Sequence, residues 1–276
     1  MPAPGEAPDA FVKRLEILQE NLHEMEEKLK KEGKYSIEGM EVHPGERIPE
    51  TLFAAPGEMT RRLYGFQCQW VPGFFTDPRH SLLFGGTAFY FYPRLFAMFI
   101  IRSCFRTRRK WLWYQRDELL AHELCHVARL PLNSSVYEEH VAYQSALSPF
   151  RRATGGIFHA EREVLAFLLA TLLLLAWQAL RTFACPFWPV WPGWLPLVIV
   201  TMWLVGRHIR DTGTFNAAGR KLAEYYGSPE KGRIALFHCT DGEIQTMAKT
   251  SDISAEIERL SQSELRWKIL QHRLKG

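Results

Sequence analysis

Two long uncharged stretches dominate the pattern of hydrophobic and polar positions along the chain. The first covers residues 164–180 and contains four consecutive leucines, and the second covers residues 187–206. Each approaches the roughly 20 apolar residues that a membrane-spanning helix requires. The short connection between them is rich in Pro and Trp, which suits a turn at a membrane interface. The pattern predicts a transmembrane helical hairpin over residues 161–207, and the alternative is a buried hairpin in a soluble protein.

Basic residues flank the open end of this hairpin. Arg151 and Arg162 precede the first stretch, Arg207 and Arg210 follow the second, and Arg181 is the charge near the connection. Lys and Arg are enriched at the cytoplasmic ends of membrane spans. The sequence therefore predicts an integral membrane protein with two spans and with both termini in the cytoplasm.

An amphipathic helix is predicted within residues 1–34. Between Phe11 and Lys31 the apolar side chains recur every three or four residues, with Glu and Lys between them. This spacing gives a helix with one apolar seam. We prefer a helix packed on its own domain, and a short coiled coil that would make the protein a homo-oligomer is the alternative.

Residues 35–160 are predicted to form an α+β domain. Residues 33–78 contain many Gly and Pro and predict loops with short strands. Residues 81–102 are apolar and aromatic with one Gly-Gly and one Pro-Arg interruption, which predicts two short strands. The second, at residues 95–101, either lies in the core or lines a cleft and pairs with extended substrate. Residues 135–147 predict a helix.

Residues 208–276 return to the composition of a soluble protein and are predicted to be mainly helical. The pattern predicts a short strand at residues 233–239, a short helix at 241–249 and a longer helix at 254–274 that is capped near Asp252 or Ser254. No catalytic residues are recognisable in this region. Its expected roles are packing against the preceding domain, self-association or substrate docking.

Net charge and cysteine usage argue against nucleic-acid binding and against a disulfide framework. The net charge is +4 and basic residues do not recur with aromatic ones, so nucleic-acid binding is not expected. The five cysteines are scattered singly along the chain. An odd and dispersed set argues against a disulfide framework and suits a reducing compartment.

The strongest candidate for chemistry is a His-Glu-x-x-His sequence formed by His122, Glu123 and His126. It lies within residues 117–129, which are rich in helix formers and carry Asp117 as a candidate N-cap. Residues four apart lie on one helix face, so the two imidazoles can bind one metal ion. Glu123 then lies beside the metal and can act as a catalytic base. The motif predicts a Zn²⁺ site.

The third metal ligand is expected on the second helix of the domain. Catalytic zinc usually has three protein ligands and one open position, and Glu138, Glu139 and His140 are the nearest candidates. Glu139 shares a helix face with Ala142 and Ala146, whose small side chains would let the two helices approach closely. We prefer Glu139, with Glu138 and His140 as alternatives.

These residues carry a resemblance to a known class of enzymes. His122-Glu123-Leu124-Cys125-His126, followed by Glu139-His140-Val141-Ala142, resembles the gluzincin metallopeptidases of the zincin group. The Glu-x-x-Ala spacing is similar to that of membrane-embedded gluzincins of the Ste24 and HtpX type, and the Glu-rich second helix resembles that of ImmA/IrrE peptidases. The chain departs from those families in its short interval between His126 and Glu139 and in Tyr143, where an Asp often occurs.

The resemblance implies a zincin-like catalytic domain and a zinc-dependent endopeptidase that cleaves peptide bonds with an activated water. The expected substrate is a membrane-associated protein or peptide, and the active site is expected on the cytoplasmic side. Tyr143, Tyr137 or His140 is expected to stabilise the oxyanion. The alternative is a membrane-tethered scaffold or sensor with a structural zinc site, for which Cys125 is the nearest additional ligand.

Overall fold

The computed structural model describes residues 1–76, 85–91 and 96–275 of the chain. The strands in these residues are β1 (Tyr35–Ile37), β2 (Met40–Val42), β3 (Gly73–Thr76), β4 (Gly86–Phe91), β5 (Phe96–Arg102), β6 (Lys110–Trp111) and β7 (Tyr114–Gln115). The helices are α1 (Pro8–Glu32), α2 (Ala54–Tyr64), α3 (Arg116–Arg129), α4 (Glu138–Ala142), α5 (Pro149–Thr154), α6 (Glu161–Phe183), α7 (Leu195–Tyr226), α8 (Pro229–Phe237), α9 (Asp241–Lys249), α10 (Ile253–Ser263) and α11 (Leu265–Lys275). The predicted α+β class with a mainly helical C-terminal region is confirmed.

A mixed sheet with the strand order β3-β5-β4 forms one wall of the N-terminal half. Strand β5 pairs with β3 in parallel and with β4 in antiparallel orientation, so both of its edges are occupied. Its residues are buried from Phe96 to Ile101, and it is therefore the core strand of the sheet. The idea that residues 95–101 pair with substrate is wrong, because β3 and β4 already occupy both edges of β5. Leu95 lies outside the described residues.

Helix α1 packs on this sheet. Met25 and Leu29 are buried in one cluster with Phe74 and Phe96 of the sheet, so the apolar seam is covered by the helix's own domain. The helix ends at Gly33, whose φ of 70° is the left-handed conformation that glycine adopts readily at helix ends. The preferred prediction of an intradomain helix is confirmed.

Helix α2 corrects the prediction of loops and strands for residues 33–78. Pro56 and Gly57 suggested a loop, but both lie in the first turns of the helix and are buried. A proline is tolerated there because the first amide groups of a helix have no intrahelical acceptor. Tyr64, at the end of α2, stacks on Phe237 with ring centroids 4.4 Å apart. This contact joins the N-terminal half to the C-terminal helices.

Helix α3 lies between the sheet and the C-terminal helices. Leu124 and Val127 pack with Phe99 of β5 on one side, whereas Cys125 belongs to the cluster of the C-terminal helices on the other. The helix ends at Arg129, but it begins at Arg116 and not at the predicted N-cap. Asp117 lies inside the first turn, where its negative charge favours the helix dipole. The motif is thereby fixed from two sides.

The C-terminal helices pack against α2, α3 and α4. Two predictions for this region are wrong. Residues 233–239 are not a strand, since Ser228 caps the amide groups of Glu230 and Lys231 and starts helix α8 there. The predicted helix at residues 254–274 is two helices, α10 and α11, which are separated by extended backbone at Glu264. Helix α9 and the Asp252 cap of α10 agree with the prediction.

The second helix of the domain is shorter than predicted for residues 135–147. Helix α4 begins at Glu138 and its last turn, Tyr143–Ser145, is a 3-10 helix. Residues 134–137 run as an irregular segment before it. The third-ligand candidates therefore lie in the first turn of a five-residue helix.

Helix α6 is the helix among the described residues that is long and apolar enough to cross a membrane. Only 17% of its most apolar stretch is buried, unlike a core helix of a soluble protein. Helix α7 begins at Leu195, whereas the predicted second span began at residue 187, and it continues to Tyr226. Its apolar part before Arg207 is shorter than the roughly 20 residues of a full span.

Helices α6 and α7 form an antiparallel pair that is tied at its base. Arg207 donates two hydrogen bonds to Glu163 and a third to the carbonyl of Ile157. Towards the other end, Gly193 lies so close to Trp177 that a Cβ atom there would approach the ring to 2.5 Å. Gly193 lies in the short turn before α7, so the close approach of this turn to α6 explains why glycine is required at this position.

Candidate metal centre

His122, His126 and Glu139 bring three metal-binding groups together. The Nε2 atoms of the two histidines are 3.0 Å apart. Oε2 of Glu139 lies 3.5 Å from Nε2 of His122, and Oε1 of Glu139 lies 3.4 Å from Nε2 of His126. Tetrahedral zinc with bonds of about 2.0–2.2 Å places its ligands roughly 3.3–3.6 Å apart. The two distances to Glu139 fall within this range, and the two histidine nitrogens are closer together than it. The described part of the chain has one such group of three, and it can hold a metal ion.

Glu138 lies outside this group of three and contacts one of its members. Its Oε1 accepts a hydrogen bond of 3.0 Å from Nδ1 of His126, and its Oε2 accepts one of 2.8 Å from Nε of Arg129. A carboxylate on the far nitrogen of a ligand histidine fixes the ring and leaves Nε2 facing the metal. The two adjacent glutamates thus have different positions: Glu139 faces the histidine pair, and Glu138 holds one of them in place.

His140, the other alternative ligand, points away from the metal-binding group. Its Nε2 lies 3.2 Å from Oγ1 of Thr212 on α7, and its ring stacks on His208. Gly156 covers the opposite nitrogen, because a Cβ atom at that glycine would lie 2.5 Å from Nδ1. The ring belongs to the contact between α4 and α7.

Glu123 lies in the same cleft, buried against strand β4. Its Oε2 accepts a hydrogen bond of 2.9 Å from the amide of Ala88. Burial raises the pKa of this carboxyl to about 7. A pKa near neutrality suits a group that takes up and returns a proton during turnover.

Comparisons of the chain with protein-family models, with curated proteins and with solved structures gave no match. The assignment of the site therefore rests on its own geometry.

The pKa values of the two histidines move in opposite directions. Burial, and then the neighbouring His126, hold the pKa of His122 well below its usual range, so its ring is neutral and has a lone pair for a metal. Burial alone would lower the pKa of His126 as well, but the Glu138 hydrogen bond and the charges of Glu139 and Glu123 outweigh it and raise this pKa to about 9. The carboxylates thus concentrate negative charge where a cation would bind.

The three predicted oxyanion donors separate clearly. The ring of Tyr143 lies edge-on to His122 with centroids 4.6 Å apart, whereas Tyr137 is buried against Phe215 on α7. The ring of His140 also packs against Phe215 of α7, and its Nε2 lies near Thr212. Of the three, Tyr143 is the one that contacts a metal-ligand candidate.

A cleft of about 1020 Å³ opens in front of the site. Its walls come from β4, α3 and the N-terminal helix, which contributes Arg14 and Leu18, and they also include Trp70 and Asn133. Small-molecule sites have volumes of about 300–1,000 Å³, so this cleft is slightly larger than that range. It has room for several residues of a peptide.

Two residues outside the predicted set, Arg129 and Asp241, bind groups that lie beside the site. Arg129, buried at the end of α3, bonds Glu138, and Asp241 binds the segment that leads into α4. A buried arginine two residues before a proline carries no recognisable motif, and an Asp at a helix start reads as a local cap. The sequence holds no signal for either contact.

Proposed function

We propose that the protein is a membrane-anchored, zinc-dependent endopeptidase of the gluzincin type. The observation that carries this proposal is the group of His122, His126 and Glu139, which can hold a metal ion and supplies three of the four ligands of a tetrahedral zinc site. Helix α3 with the motif and helix α4 with the third ligand follow a mixed sheet, which supports a zincin-like domain. The donor set of two imidazoles and one carboxylate is one that catalytic zinc uses.

Each described side chain of the site has a role in peptide hydrolysis. Zinc bound there would polarise the peptide carbonyl and lower the pKa of water. Glu123 takes the proton from the attacking water and gives it to the leaving amine, for which its raised pKa is suited. Tyr143, beside His122, is the candidate donor to the oxyanion.

Strand β4 offers a binding edge for an extended substrate. The amide of Ala88 points away from β5 and towards Glu123, so this edge of the sheet faces the cleft. An extended peptide can pair with such an edge through main-chain hydrogen bonds. In this arrangement the scissile bond would lie between β4 and the metal-binding residues.

A scaffold with a structural zinc site is the competing function, and the geometry favours it less. A structural site usually has four protein ligands. Cys125, the nearest additional candidate, is fully buried among Tyr64, Val141 and other apolar side chains on the opposite face of α3. Within the described ranges, three donors and an adjoining cleft support a catalytic site.

Removal of the metal tests the proposed function directly. Purified protein in detergent is expected to contain about one zinc per chain, and a chelator is expected to abolish cleavage of a quenched fluorescent peptide library. Stoichiometric zinc should restore that cleavage, because the chelator removes the metal and leaves its three ligands in the protein. Full cleavage by the metal-free protein, or purified protein that neither contains nor binds zinc, would contradict the proposal.

The hairpin of α6 and α7 is proposed to insert into the bilayer. At about 1.5 Å per residue, α6 extends roughly 30 Å from Glu163 to Phe183, which matches the hydrocarbon thickness. Helix α7 adds Ile199, Met202 and Trp203, each more than half exposed. We propose two spans, α6 and the shorter apolar part of α7, with the basic residues at the base, both termini and the active site in the cytoplasm. Anchoring would raise the local concentration of membrane-associated protein substrates.

Replacing Leu172 with Arg tests insertion. This side chain is 60% exposed in the middle of α6. An Arg at the centre of a span costs about 2.5–3.5 kcal/mol, so the fraction of protein that resists alkaline carbonate extraction should fall clearly. Ile269→Arg is the matched control, since this residue is also exposed on a helix but lies in α11. Equal retention of both variants and the wild type would argue against an inserted hairpin.

A further inference from the structure

One carboxylate from the C-terminal region holds the segment that leads into the third-ligand helix. Asp241 accepts hydrogen bonds from the hydroxyl of Ser134 and from the backbone amides of Ser135, Val136 and Tyr137. These amides precede the first turn of α4, whose N-cap residue, Tyr137, makes no capping hydrogen bond with its own side chain. The carboxylate thus satisfies several donors across more than 100 residues of sequence.

A second contact from the same part of the chain holds the end of the motif helix. Arg129 is 1% exposed, and its guanidinium donates to the carbonyls of Phe237 and Cys239. Its Nε atom donates to Glu138, which in turn bonds His126. The segment of residues 237–241 therefore contacts both α3 and the start of α4.

Short helices do not fix their own position. Helix α4 has five residues, whereas isolated helices shorter than about 12–15 residues are marginal in water. Glu139 lies in its first turn, and its carboxylate, which is 34% exposed, faces the Nε2 atoms of His122 and His126 at 3.5 and 3.4 Å. The distance between Glu139 and the two histidines must be set by contacts of α4 with the rest of the protein.

We propose that residues 237–241, through Asp241 and Arg129, position Glu139 against His122 and His126. This role rests on the proposed zinc site and deepens it. Asp241 and Arg129 are positioning residues, since Arg129 acts through Glu138 and Asp241 acts through the segment that leads into α4. The C-terminal helices, for which the sequence shows no chemistry, then supply the geometry on which zinc affinity depends.

Asp241→Asn is the principal test, in the full chain in detergent. The amide keeps the size of the side chain but removes the charge that strengthens four hydrogen bonds. Loss of a residue that orients a ligand typically lowers metal affinity about 10- to 100-fold. We expect a zinc affinity about 10-fold lower in competition with a chromophoric chelator, and an altered visible spectrum after Co²⁺ substitution.

Asp252→Asn is the matched control, because Asp252 caps α10 through the amide of Ala255 and lies in the same region without contacting the site. It should change neither zinc affinity nor the Co²⁺ spectrum. If Asp241→Asn does not fold, Ser134→Ala removes one of the same hydrogen bonds and should shift affinity in the same direction by a smaller factor.

Wild-type affinity and spectrum in Asp241→Asn would overturn the positioning role and leave the proposed zinc site standing. An equal loss of affinity in Asp252→Asn would also overturn it, since the effect would then reflect stability alone. A wild-type protein that binds no zinc would reject the zinc site and the positioning role together. The two proposals therefore fail by different results.

Discussion

Replacing Glu123 with Gln is expected to abolish peptide cleavage and to leave zinc binding intact. Glu123 is not one of the three metal-ligand candidates, so the metal content should stay that of the wild type. A glutamine cannot take a proton from water, and general-base catalysis contributes typically about 10²–10⁴-fold. We expect kcat to fall at least about 100-fold in a fluorescent peptide assay.

The structure makes this substitution conservative in every other respect. The Ala88 amide donates to Oε2 of Glu123, and the Gln amide oxygen can accept that same hydrogen bond. Strand β4 should therefore keep its place beside α3. Thermal unfolding of the variant, followed by circular dichroism, should stay close to the wild-type curve.

Glu118→Gln is the control on the same helix. Glu118 is also buried, but it bonds Arg151 and the amide of Leu147 and does not line the cleft. This variant is expected to lose stability and to retain cleavage per folded molecule. Retained cleavage in Glu123→Gln, or a loss of equal size in Glu118→Gln, would show that Glu123 is not the base.

Local geometry explains which part of the site could be predicted from the sequence. The two histidines and Glu123 belong to one turn of one helix, so helix formers around the motif were enough to place them. Helix α3 ends at Arg129 as expected, and the sheet that precedes it contains the two strands expected within residues 81–102, as far as those residues are described.

The choice between Glu138 and Glu139 could not be made from the sequence, because adjacent helix positions differ only in their direction around the axis. That direction is fixed by Arg129, whose own position depends on carbonyl groups more than 100 residues away. The sequence pattern predicts the helix but not its rotation about its own axis. Long-range contacts of single side chains determine which of the two acids faces the histidine pair.

The missed helices have a different cause. Pro56 and Gly57 in α2, and Ser228 and Pro229 at the start of α8, are residues that also occur in loops. Whether such residues begin a helix or lie in a loop depends on whether the residues after them pack on another part of the protein. Tyr64 and Phe237, which end these two helices, pack on each other and supply that surface. Neither half of this contact was visible from its own stretch of sequence.

Removing Glu139 and Glu138 separately should give two different losses. In Glu139→Ala the histidine pair loses the carboxylate that completes the group of three, and we expect zinc to be lost from the purified protein together with all cleavage. In Glu138→Ala the three ligands remain, but His126 loses the hydrogen bond on Nδ1 that orients its ring. Here we expect about 10- to 100-fold weaker zinc binding, and cleavage that returns in excess zinc.

The rescue by zinc is what distinguishes the two acids. A lower zinc affinity is overcome by a higher zinc concentration. Loss of a ligand also removes the charge that holds the metal in the catalytic geometry, which added zinc does not replace. Glu138→Ala also removes the carboxylate that pairs with the buried Arg129, so some loss of stability is expected and should be measured in parallel. If Glu138→Ala loses zinc irreversibly while Glu139→Ala keeps it, the roles are exchanged. If neither variant loses zinc, the gluzincin site is not where the metal binds, and the histidine pair must be explained without it.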